Sequence, residues 1–122
     1  MDKVKVSDKL LLSVEKPARY TGGELNSIVK ETARLRCFPD VYEIGMSHLG
    51  SRILYEVINS REEYACERCF APWPDMEKAM RENNVPMFTL ETRTPLAECD
   101  IVGFSLLYEM CYTNILTMLD LA

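Results

Sequence analysis

The sequence predicts an α/β fold, a parallel sheet with helices on both faces. Three observations predict it. Short apolar or β-branched runs alternate along the chain with segments of helical period. Turn residues separate them, at Pro39-Asp40, Asn59-Ser60 and Asn83-Asn84. The run Ile101-Val102-Gly103-Phe104-Ser105-Leu106-Leu107 is continuously apolar apart from one serine, the pattern of a central strand buried on both faces. With 122 residues, 48% hydrophobic and 27% charged, the chain can bury one core.

Residues 1–30 read as an N-terminal arm: mixed charge, then Leu10 to Leu12, then a Pro17 and Gly22-Gly23 stretch without periodicity. The α/β domain takes residues 31–122. Arg34 to Phe38 is the first strand, stopped by Pro39. A glycine-containing loop follows, and Ser47 is placed to cap a helix in which Leu49, Ile53, Leu54, Val57 and Ile58 share one face. Tyr64 to Phe70 is a short strand, and Ala71 to Asp75 a stiff loop around Trp73. Asp75 is expected to cap a helix from about Met76 to Glu82, with Met76, Ala79 and Met80 inward and Asn83-Asn84 as its stop. Pro86 to Leu90 reads as another strand, Leu96 to Cys99 as a helical turn, and 101–107 as the buried strand. A last helix from Tyr108 carries Met110, Ile115, Met118, Leu119 and Leu121 on its period. This order fits a flavodoxin-like (Rossmann-like) sheet, whose ligands lie at the carboxyl ends of the strands where strand order reverses. No strand follows the last helix, so the sequence reads as a fold truncated before its last strand.

Composition removes several classes of function. A net charge of −5 repels phosphate backbones, which argues against nucleic acid. The apolar runs fall far short of the roughly 20 residues needed to span a membrane. Residues 1–9 lead into no signal-peptide core, and the expected location is cytoplasmic. Five cysteines, an odd number, fit reduced buried thiols better than a disulfide framework. Cys66-Glu67-Arg68-Cys69 lies in an expected strand and has no second pair, so neither a redox nor a zinc role follows. His48 is the single histidine, and no base and nucleophile pair forms a triad. No catalytic residue and no metal site is assigned.

One constellation points to a ligand. In Glu43-Ile44-Gly45-Met46-Ser47-His48-Leu49-Gly50, the glycines Gly45 and Gly50 allow close backbone approach. Met46, Ser47 and His48 lie beside a helix N-terminus that offers free N–H groups. His48 either touches a cofactor or only begins the helix. Ser105 and Tyr108 end the buried strand on the same sheet edge, where Ser105 bonds a ligand or caps the last helix.

Three literal stretches carry a resemblance: 12–26 (Leu12-Ser13-Val14-Glu15-Lys16-Pro17 onward), 37–50 (Cys37-Phe38-Pro39-Asp40-Val41-Tyr42 onward) and 70–77 (Phe70-Ala71-Pro72-Trp73-Pro74-Asp75-Met76-Glu77). They resemble the N-terminal region of a bacterial branch of cobalamin-binding radical SAM proteins. The resemblance implies a flavodoxin-like domain ahead of a radical SAM barrel, which would be its partner. In that barrel a Cys-x-x-x-Cys-x-x-Cys motif holds a [4Fe–4S] cluster and S-adenosylmethionine is cleaved. That motif does not occur in these residues, so both cofactors are expected only in a full-length protein. The resemblance further implies that the domain holds or shields cobalamin through Gly45, Met46, Ser47, His48, Gly50, Ser105, Leu107 and Tyr108. Ser105 and Leu107 match the Ser-x-Leu element of such domains. The signature D-x-H-x-x-G is not matched, since Met46 and Ser51 stand at its first and last positions and Gly50 falls one place early. His48 is therefore not expected to ligate cobalt. The other reading is a non-catalytic interaction or substrate-capping domain that has lost the corrinoid. Self-association is also expected, from an open strand edge and from Ile115, Met118 and Leu119 left partly wet.

Overall fold

The structure is a computed structural model that describes residues 3–30, 33–37 and 41–122, with 33–37 described by their backbone. In chain order the elements are α1 (Asp8–Leu11), β1 (Ala33–Cys37), α2 (Tyr42–Ser47), α3 (Leu49–Asn59), β2 (Tyr64–Cys66), α4 (Pro74–Asn83), β3 (Ile101–Phe104) and α5 (Cys111–Asp120). Short 3₁₀ turns occur at Pro17–Tyr20 and Leu96–Glu98. The strands form a sheet in the order β2-β1-β3. Both pairings are parallel, with Leu35 opposite Cys66 on one side and Ile101 on the other.

The core joins segments far apart in sequence. Met76, Ala79 and Met80 of α4 turn inward as their spacing predicts. They meet Met87, Phe88, Leu96, Met118 and Leu121, with Val102 and Phe104 of β3 packed against the cluster. The segment read as an arm is part of this core, since Val4, Val6, Leu10, Leu11, Val14 and Tyr20 are all buried in it. Backbone bonds anchor it, from Val4 N–H to the Arg93 carbonyl at 2.8 Å and from Glu15 N–H to Asp75 Oδ2 at 2.7 Å. Apolar residues without periodicity were enough, because a segment laid over a core needs no regular face of its own.

Several expectations are corrected. β3 ends at Phe104, occupies an edge of the described sheet, and leaves Ile101 62% exposed. Apolar residues make a strand fit for burial, but its neighbours decide whether burial happens. The run Pro86 to Leu90 does not join the sheet. Thr89 N–H bonds the Thr94 carbonyl at 3.0 Å and Leu96 N–H the Met87 carbonyl at 2.8 Å, a local antiparallel turn bridged at Phe88 and Pro95. β2 stops at Cys66, well short of Phe70. Asp75 does not cap α4; Pro74 takes the first helical position, where its fixed φ suits the helix, and Trp73 precedes it. Asn84, at φ 51°, closes α4 in the left-handed region. The last helix begins at Cys111, so Ser105 is not its cap, and Met110 stands at that position.

The segment expected as a loop is largely helical. α2 spans Tyr42–Ser47, with the Ser47 hydroxyl bonded back to the Glu43 carbonyl at 2.7 Å. Ser47 thus closes one helix, and His48 begins the next.

Candidate functional site

The carboxyl ends of β1 and β3 adjoin, with Cys37 opposite Phe104. Beyond β1 the chain enters α2 and α3; beyond β3 it runs through Ser105, Leu107 and Tyr108 into α5. Gly45 and Met46 reach a cavity at the end of β2, together with Ser51, Tyr55, Arg68 and Phe70. Ser105, Leu107 and Tyr108 are not among its lining residues, and the last two are exposed.

His48 has a specific local task. Its Nδ1 accepts the Ser51 N–H at 3.1 Å, which satisfies one of the free donors at the start of α3. Gly50 leaves room for the ring, since a Cβ there would stand 2.9 Å from His48 Cε1. With Nδ1 accepting, the proton of the neutral ring sits on Nε2, which then has no lone pair for a metal. The geometry does not fit axial ligation of cobalt by His48.

The strongest polar arrangement in this region was not foreseen. Arg68 Nε meets Glu91 Oε1 at 2.6 Å, and the Arg68 N–H meets Glu91 Oε2 at 2.7 Å. Its guanidinium also donates to Asn26 Oδ1 and Ser27 Oγ, both at 3.1 Å, and lies 4.5 Å from the centre of the Tyr55 ring. Burial pushes the Glu91 carboxyl up from its ordinary value, and the Arg68 N–H and guanidinium pull it back. Burial, reinforced by the Glu91 charge, pushes the Tyr55 phenol up to about 12. Next to Arg68, the fully buried Glu67 accepts the hydroxyls of Thr89 at 2.5 Å and Thr92 at 2.7 Å. A sequence signal existed: two charges inside the otherwise β-like run Tyr64 to Phe70 must find partners if the run is buried. Their partners could not be named from spacing.

Cys66, Cys69 and Cys111 are buried and Cys99 is half-buried, and no disulfide joins these four. Among the described residues no group of three His, Cys, Asp or Glu side chains could hold a metal ion. No helix among them is long and apolar enough to cross a membrane.

Residues 50–122 match the family described as radical SAM proteins, N-terminal. The chain belongs to this family. Comparison with curated proteins gives no match, and neither does comparison with solved structures. The matched part of this radical SAM N-terminal domain runs from the first turn of α3 to the end of the chain. It therefore contains the Arg68–Glu91 pair, the Glu67 threonine cluster and the whole exit from β3. Membership implies S-adenosylmethionine and an iron–sulfur cluster in the full-length protein.

Proposed function

We propose that this domain covers the radical SAM domain of its own protein and catalyses no step itself. The observation that carries the reading is the exit from β3. Leu106, Leu107, Tyr108 and Met110 are all exposed there, clustered in a short segment interrupted only by Glu109. Scattered apolar residues are ordinary on a surface, whereas a clustered group marks a contact. The group also sits at the carboxyl end of a parallel strand, the end that open α/β sheets turn toward their ligands. The strand order β2-β1-β3 supports a flavodoxin-like sheet as the scaffold. The test is amide exchange of residues 106–110 in the full-length radical SAM protein and in the 122-residue chain. Slower exchange in the full-length protein is expected; equal rates would remove the covering role.

A second reading is favoured by the adjoining ends of β1 and β3, with Ser105 and Leu107 just beyond. In it, the domain holds a corrinoid against the radical SAM active site, and the cofactor supplies the chemistry. Absorbance after incubation with hydroxocobalamin separates the two. A shifted corrinoid spectrum at one equivalent supports the second reading, and a spectrum equal to that of the free cofactor supports a covering domain alone.

A further inference from the structure

α3 is turned the opposite way from an ordinary amphipathic helix. Its buried residues are Tyr55, 2% exposed, and the polar Asn59, 7% exposed. Leu49, Ile53, Leu54 and Val57 are 66, 53, 45 and 56% exposed. A surface helix normally lays its apolar stripe on the core.

The inner face holds this orientation through specific bonds. Asn59 brackets Cys66, with Oδ1 accepting the Cys66 N–H at 2.9 Å and Nδ2 donating to the Cys66 carbonyl at 3.0 Å. The Tyr55 hydroxyl accepts the Ile28 N–H at 2.7 Å, and Arg68 stacks on its ring. Lys30 Nζ donates to the Asn59, Arg61 and Tyr64 carbonyls around the helix end. Rolling α3 to bury its leucines would break all of these at once. The apolar stripe is therefore committed to the outside.

We infer that this stripe is the seam of a homodimer, with the α3 helices of two copies packed antiparallel about a two-fold axis near Leu54. Leu49, Ile53 and Val57 form one ridge at spacings of four, and Leu54 and Ile58 the next row, the surface that ridges-into-grooves packing requires. A two-fold contact must be self-complementary, and the flank of the stripe is. Arg52 and Glu56 are both exposed on that side, and Leu54 lies midway between them. In the antiparallel arrangement Arg52 faces Glu56 of the second copy, and the reverse pair forms on the other side of the axis. A parallel two-fold would put the Arg52–Glu56 flanks of the two copies on opposite sides of the seam, where neither charge finds a partner, so the charges select the antiparallel dimer.

The test is sedimentation of the 122-residue chain over a micromolar series, read against its 14.0 kDa monomer mass. A dimer is expected, lost in Ile53→Glu while that variant keeps its cooperative thermal transition. Arg52→Glu should weaken association about tenfold, and the added change Glu56→Arg should restore it. Leu54→Cys, next to the axis, should give a covalent dimer under mild oxidation where the parent chain and Lys78→Cys do not. A monomer throughout the series would overturn the dimer. So would a dimer that survives Ile53→Glu and does not cross-link at position 54, which would place the contact elsewhere, or a dimer weakened equally by the single and the double charge change.

Discussion

Arg68 and Glu91 hold each other twice, through the guanidinium at 2.6 Å and through the Arg68 backbone N–H at 2.7 Å. The Leu90 N–H returns to the Arg68 carbonyl at 2.8 Å, so the chain after β2 is stitched to the turn at 89–94 by side chain and backbone together. The Glu91 side chain is fully buried and that of Arg68 nearly so. Removing one member of such a pair leaves the other charge buried and uncompensated.

Arg68→Met should therefore destabilise the domain by about 3–5 kcal/mol, measured by urea unfolding. The double variant Arg68→Met, Glu91→Leu should recover much of that loss, since both charges are gone. A single-variant loss below about 1 kcal/mol, the range of exposed pairs, would show that the pair is not the anchor described.

Tyr55 makes stability sensitive to alkali. Its folded value of about 12 lies above the ordinary tyrosine value of 10, so the contribution is fully present below about pH 10. Above that the unfolded chain loses its proton first, and stability falls as pH rises toward about 12. The loss should be on the order of 2–3 kcal/mol. Tyr20 and Tyr42 are raised as well, chiefly by burial, so the informative quantity is the difference between the parent chain and Tyr55→Phe. Parallel alkaline profiles for the two would contradict the assignment.

Two neighbouring glycines should respond unequally. Both Gly22 (φ 69°) and Gly23 (φ 81°) are left-handed, which costs any L-residue about 1–2 kcal/mol. At Gly22 a Cβ would also stand 2.4 Å from the Leu90 carbonyl oxygen, whereas at Gly23 it meets nothing within 4 Å. Gly22→Ala should cost clearly more than Gly23→Ala in thermal unfolding. Equal losses would mean that the close approach to Leu90 is not maintained in solution.

His48 should behave as a helix cap. His48→Ala should cost about 1 kcal/mol, and His48→Asn, which caps well, should keep most of the stability. If the chain takes up a corrinoid, His48→Ala should leave its affinity and spectrum nearly unchanged. Loss of a nitrogen-ligated spectrum in that variant would show that the ring ligates cobalt after all.

What was legible in the sequence was local. The period of Met76, Ala79 and Met80 and the stop at Asn83-Asn84 located α4, because side-chain direction within a helix and left-handed asparagine depend only on nearby residues. The turn at Leu96–Glu98 was legible for the same reason, while the expected stop of β1 at Pro39-Asp40 lies outside the described residues. The boundary at Ser47 and His48 was missed by one residue, because a serine is a good cap wherever it stands and the backbone bonds chose the next residue.

By itself the sequence determined which segments could be helix or strand, and through its literal stretches it pointed toward the radical SAM family. Only the tertiary structure decided which side of each element is wet. The stripe on α3 is as apolar as any core-facing stripe, yet Tyr55 and Asn59 find partners at Ile28 and Cys66 and hold it outward. β3 is as apolar as a central strand, yet it lies at an edge of the described sheet. The Arg68 and Glu91 charges became buried because they meet across a fold in the chain. Periodicity records what a residue is suited to contact, and the long-range satisfaction of buried polar groups decides what it does contact.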